Sequence, residues 1–130
     1  MSAREKYVRE WLEKADEDRR AMDRLMEEDP ILEMACFHAQ QCVEKTLKGF
    51  LTAHDRHVEK THDLTDILEL CAEIDSAFEQ FEQTCKALIP YAVDDRYPGP
   101  KNPDTIEEAR RLVEAADHIY RFTRNALDLN

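Results

Sequence analysis

Glycine is nearly absent from this chain: 130 residues hold two, Gly49 and Gly99. Tight hairpins and bulges draw on glycine for left-handed backbone, so a turn-rich β fold is excluded and helices are favoured. No run of 18 apolar residues occurs, so no helix is expected to cross a membrane. The first residues carry charge rather than the apolar stretch of an export signal. The four cysteines, Cys36, Cys42, Cys71 and Cys85, form no CxxC pair. They are expected as free thiols filling the core of a cytoplasmic protein. Glycine-rich phosphate loops and the nucleophile elbow GxSxG are missing too.

Metal chemistry finds little support. His54, His57 and His62 have a spacing unlike that of zinc ligands. A di-iron bundle needs two Glu-x-x-His motifs facing inward, and Glu59-x-x-His62 is alone. No metal and no cofactor is expected.

Acidic residues outnumber basic ones by 29 to 18, giving a net charge of −11. The imbalance is local: residues 63–95 hold nine acids and a single base, Lys86. Phosphate backbones need clustered lysine and arginine, so this surface disfavours broad, non-specific nucleic-acid binding. The acidic quarter reads as a solvated helix face, or as a face for a basic partner.

What the chain has in abundance is helical periodicity. Tyr7, Val8, Trp11, Leu12, Ala15, Met22, Leu25 and Met26 fall close to helical spacing from about Arg4 to Glu28, and Asp29-Pro30 ends that helix. A second helix runs from about Leu32 to Ala53. Ala35, Ala39, Cys42, Val43, Leu47, Phe50 and Leu51 form its stripe, with Gln41, Glu44, Lys45 and Lys48 opposite. Phe37 falls on that polar side, which suggests that another helix or a second subunit packs there. Thr61 or Asp63 caps a third helix through Leu64, Ile67, Leu68 and Cys71. A fourth covers about Ser76 to Tyr91, with Phe78, Phe81, Cys85, Leu88 and Ile89 inward. The proline-rich stretch 94–104 reads as an ordered surface loop. A last helix, capped by Asp104, carries Ile106, Ala109, Leu112, Val113, Ala116, Ile119, Tyr120 and Leu127. The expected fold is all-α: a single domain over residues 1–130, an antiparallel up-and-down bundle of four to five helices.

Three motifs then stand in order: Phe37-His38-Ala39-Gln40-Gln41-Cys42-Val43-Glu44-Lys45 with Leu47 and Lys48, Thr61-His62-Asp63-Leu64, and Asp95-Arg96-Tyr97-Pro98. Together they resemble the HEPN domain family, from about Tyr7 to Leu127. The resemblance implies an up-and-down helical bundle, commonly a homodimer. It also implies a minimal nucleotidyltransferase as partner, often in a toxin–antitoxin module. Many HEPN proteins are metal-independent RNases, whose signature is an arginine, four to six residues, then a histidine near the start of the last long helix. Arg56-x5-His62 and Arg111-x6-His118 fit that spacing, but composition alone yields about one such pair. Arg56 and His62 lie too early in the chain, and Leu112 replaces the polar residue that usually follows the arginine. The chain therefore resembles the branch without the clear RNase dyad, and an enzymatic role is not the leading expectation.

The candidate site follows from side-chain type. Gln41, Lys45 and Lys48 form a strip of one amide and two cations along one helix face. Arg96 and Tyr97 put a planar guanidinium beside an aromatic ring on a stiff loop, suited to gripping phosphate or stacking on a base. The five are the expected nucleotide- or partner-binding residues, with Gln41, Lys45, Lys48 and Arg96 lining one electropositive hollow. A plainer alternative makes Glu44–Lys48 an ordinary ion pair and lets Arg96 pin its own loop. His38 reads as a general base, a ligand or a hydrogen-bonded histidine at the core edge. Arg111 and His118 are the weak catalytic candidates. The functional expectation is a HEPN-type nucleotide- or partner-binding protein. Its alternatives are an RNA endonuclease toxin and a non-catalytic helical adaptor.

Overall fold

The computed structural model describes residues 1–56, 63–92, 103 and 105–129. Five α-helices span α1 (Ala3–Leu25), α2 (Leu32–Ala53), α3 (Leu64–Ile74), α4 (Glu82–Leu88) and α5 (Ile106–Ala126). Short 3-10 segments at Ser76–Phe81 and Ile89–Tyr91 flank α4, and no strand occurs among the described residues. The protein is all-α, as its sequence predicts. One departure is the stretch expected as a single fourth helix, which is broken into 3-10, α and 3-10 pieces. Pro90, which has no N–H to donate, sits in the last of them.

Local chemistry sets the ends. Ser2 caps α1, its hydroxyl accepting from the Glu5 N–H at 3.1 Å. The helix ends at Leu25, earlier than the expected Glu28. Asp29 turns left-handed (φ 55°) and the Ile31 N–H bonds back to the Leu25 carbonyl at 2.9 Å, so the chain reverses into α2. Asp63 caps α3, accepting from the Thr65 N–H at 2.9 Å; Thr61 lies outside the described residues. At α5 the cap is Thr105 rather than Asp104, which also lies outside them. The Thr105 hydroxyl accepts from the Glu108 N–H at 3.1 Å. Thr105-Ile106-Glu107-Glu108 has the Thr-x-x-Glu spacing of a capping box, a stronger start signal than a preceding aspartate.

The core lies where α2 meets every other helix. Met22 of α1, Val43 and Leu47 of α2, Ile67 and Cys71 of α3, Cys85 and Leu88 of α4, and Val113 and Ile119 of α5 share one buried cluster. Rings tie its far end together: Phe78 stacks 4.4 Å from Phe50 and meets Phe122 edge-on at 5.3 Å. α2 sits so deep that none of its 22 residues is fully exposed. Gly49 permits this on the α1 side, since a Cβ there would lie 3.3 Å from the Trp11 Cβ and 3.4 Å from the Leu12 Cδ2. Three expected core residues lie outside: Tyr7 (51%) and Ile106 (41%) are exposed on the outer turns that begin α1 and α5, and Ile89 (41%) is exposed in the 3-10 turn that follows α4.

Candidate functional site along the seam of α1 and α2

The expected strip on α2 exists, but the bundle uses its charges. Gln41, Lys45 and Lys48 share one face of α2, bordered by α1. The Lys45 ammonium donates to Asp18 Oδ2 at 2.7 Å, and His38 Nδ1 bonds to Asp18 Oδ1 at 2.8 Å. One carboxylate on α1, buried at 8% exposure, thus bridges two groups that stand two turns apart on α2. Lys48 is buried as well: its ammonium bonds Glu44 Oε2 at 3.0 Å and lies 5.7 Å from the centre of the Trp11 ring. Gln40, wholly enclosed, donates to Glu44 Oε1 at 3.1 Å and accepts from the Gln41 amide at 2.7 Å. A polar chain, Gln41–Gln40–Glu44–Lys48, therefore runs along α2 beside the Asp18 bridge.

The described part of the expected electropositive hollow accordingly carries paired charge. Desolvation explains this: an ammonium this enclosed is held only if a carboxylate accompanies it. Arg96 and Tyr97 lie outside the described residues, as does His62. His38 is the hydrogen-bonded histidine at the core edge that the sequence allows for. Phe37, expected to lie against a second helix or subunit, is half-buried, with the His38 ring edge-on at 5.2 Å.

Aromatic side chains flank the seam on α1. Trp11 is half-buried with Tyr7 5.7 Å away, and its enclosed indole N–H has no hydrogen-bond acceptor among the described residues. An enclosed donor without an acceptor is costly, so this corner is held by packing and by the cation above the ring.

Arg111 and His118 do not meet. Both are exposed on one face of α5, two helical turns apart, about 10.5 Å of rise. His118 instead lies edge-on to Phe81 at 5.7 Å. Elsewhere on α5, Asp117 holds Arg19 of α1 at 2.9 Å, and that guanidinium lies 4.9 Å from the centre of the Tyr120 ring. This clamp binds α5 to α1 across the outside of the core. No group of histidines, cysteines and acids suited to a metal ion occurs among the described residues.

Four residues of the seam escaped the sequence reading: Asp18, Gln40, Glu44 as a bridging acceptor, and Trp11 as a platform. Asp18 had left a signal. It occupies the one slot between Ala15 and Met22 where the apolar stripe of α1 breaks, and an acid there needs a cation opposite.

The family model for the HEPN domain matches residues 8–126, and the chain belongs to that family. A crystal structure of TT1696 from Thermus thermophilus shares 30% identity, with a TM-score of 0.76 over 91% of this chain and 96% of the other. ST0689, an archaeal HEPN homologue, has the same fold at 22% identity, with a TM-score of 0.74 over 92% of this chain and 96% of its own. A comparison with curated proteins returns no match. Among the described residues no helix is long and apolar enough to cross a membrane.

Proposed function

We propose that this HEPN protein is a helical partner-binding module, a homodimer that works with a minimal nucleotidyltransferase in a toxin–antitoxin-like pair and holds nucleotide jointly with it. The observation that carries the reading is the seam itself. Half-buried Gln41 and Lys45 share one face with the buried Lys48, with Trp11 and Phe37 at its borders. Interface cores favour aromatic rings and are poor in lysine, so Trp11 and Phe37, more than the two ammoniums, suit a covering partner. Because Lys45 and Lys48 already hold carboxylates, a free phosphate competes with Asp18 and Glu44. A partner that supplies its own apolar surface and covers the seam gains more than a free anion does. Arg96 and Tyr97 belong to the same proposed surface.

The test mixes purified protein with labelled nucleotides and with the product of the neighbouring gene, in separate and combined reactions. Binding to the partner, strengthened by nucleotide, is expected at micromolar concentration. Binding to neither would remove the reading. If Lys45→Ala and Arg96→Ala leave every binding measurement unchanged, the adaptor alternative holds instead.

A second reading, an RNA endonuclease, has one observation in its favour: Arg111 and His118 are exposed on the same face of α5. A second subunit facing that surface would bring the two types of group together, the histidine as general base and the arginine on phosphate. Induced expression then arrests growth, and His118→Ala relieves it. A harmless wild type excludes this reading.

A further inference from the structure

Away from the seam, at the end of the bundle where α1 begins and α2 ends, lies a cavity of about 180 Å³. Val8, Ala53, Leu127 and Leu129 supply its apolar walls, and Arg4 and Arg9 stand at its mouth. The wall after α5 is fixed. Asp128 turns left-handed (φ 59°), the Leu129 N–H bonds the Arg124 carbonyl at 3.0 Å, and the Arg124 guanidinium donates to the Leu129 carbonyl. Leu127 packs against the main core from that turn.

Charge marks the mouth. The first nine residues carry Arg4, Lys6 and Arg9 against one acid, Glu5, in a chain whose net charge is −11. Glu5 also lines the cavity, and the two arginines outnumber it there. Neither Arg4 nor Arg9 forms an ion pair among the described residues. The seam lysines, by contrast, are matched to carboxylates. An apolar pocket lined by two guanidiniums that have no ion pair among the described residues is complementary to a molecule with an aliphatic tail and an anionic head. The volume falls below the roughly 300 Å³ at which clefts for drug-sized ligands begin, so it suits a short unbranched chain. Arginine offers a carboxylate two parallel N–H donors, which selects that head group over a neutral one.

We propose that this corner binds a free medium-chain fatty acid, its carboxylate between Arg4 and Arg9 and its tail against Val8, Ala53, Leu127 and Leu129. The site is separate from the seam and does not depend on the function proposed for it.

The probe is sodium octanoate, titrated into the full chain below its micelle-forming concentration and followed by methyl NMR. Saturable shifts confined to Val8, Ala53, Leu127 and Leu129 are expected. The doubly substituted Arg4→Gln/Arg9→Gln protein, with its fold checked by circular dichroism, is expected to bind about tenfold more weakly. 1-Octanol, with the same tail and no charge, should lose a similar factor against wild type. Three results each overturn the proposal: no saturable shift, equal affinity in the double variant, or shifts spread to core methyls such as Ile67. A fourth arm uses an acetylated dipeptide ending in leucine. If it binds as tightly as octanoate, the site reads peptide carboxyl termini and the fatty-acid assignment fails.

Discussion

Asp18 ties α1 to α2 through both of its carboxylate oxygens. Its two oxygens serve His38 and Lys45 from one enclosed position. Asp18→Ala removes the shared acceptor and leaves an ammonium and an imidazole facing an apolar gap, so a loss of about 2–4 kcal/mol is expected in urea unfolding. Asp18→Asn keeps the shape and one acceptor, and should lose less. If Asp18→Ala unfolds at the wild-type midpoint, the bridge contributes nothing. Sequence reading offered the Glu44–Lys48 pair as its plainer alternative, but not the pairing of Asp18 with Lys45 and His38. Lys45 and Lys48 announce themselves as cations on a helix face, whereas their exposure depends on how deeply α2 sinks, which no local pattern encodes.

At the scale of elements, helix positions were legible because period and caps agree. The bounds of α2 match their expected residues, and α3 begins at the aspartate that caps it. Boundaries slipped where a backbone bond rather than a residue type decides, as at the reversal after Leu25. Asp63 gives a test with a sign. Its bonds from Thr65, first through the hydroxyl and then through the backbone N–H, hold its carboxyl below the ordinary aspartate value. A folded value below the unfolded one means the cap stabilises fully above about pH 5, where both states are ionised, and loses that contribution as pH falls through the folded value. Asp63→Ala should therefore cost about 1 kcal/mol at pH 7 and little at pH 2.5, in paired thermal melts. An equal cost at both pH values would show that the carboxylate charge is not what caps α3.

Gly49 tests the contact between α1 and α2. An alanine gains helix propensity of about 1 kcal/mol but presses on the Trp11 and Leu12 side chains by a few tenths of an ångström, so the two terms nearly cancel. A leucine has no such room and should cost about 3 kcal/mol or more by forcing α1 outward. Urea midpoints of Gly49→Ala and Gly49→Leu separate the cases. A Gly49→Leu protein as stable as wild type would mean that α1 is free to shift.

For the whole molecule, the four thiols form a distributed reporter. Cys36 and Cys42 sit on α2, Cys71 on α3 and Cys85 on α4, all free and all buried. Burial is the main force pushing each thiol up to about 12. None is a thiolate at pH 8 in the folded state, so iodoacetamide should label all four only through opening of the core, and at one common rate. A fast-labelling Cys85 with three slow partners would show that α4 opens by itself. The family and the all-α class were readable from order and composition, since both are properties of the chain as a whole. The seam was half readable. Its residue types stand in the sequence, but the carboxylates that neutralise them come from another helix or from the enclosed side of the same one.

The depth of α2 has a consequence for how this protein can drift under random mutation. A fully exposed position tolerates many side chains, and α2 has none: 13 of its 22 residues are buried and the rest are half-buried. Variants recovered for solubility alone should then thin out sharply between Leu32 and Ala53 while accumulating along the outer turns of α1 and α5. The first of the three motifs that carry the family resemblance, residues 37–48, falls within that stretch, so packing as well as any ligand constrains it.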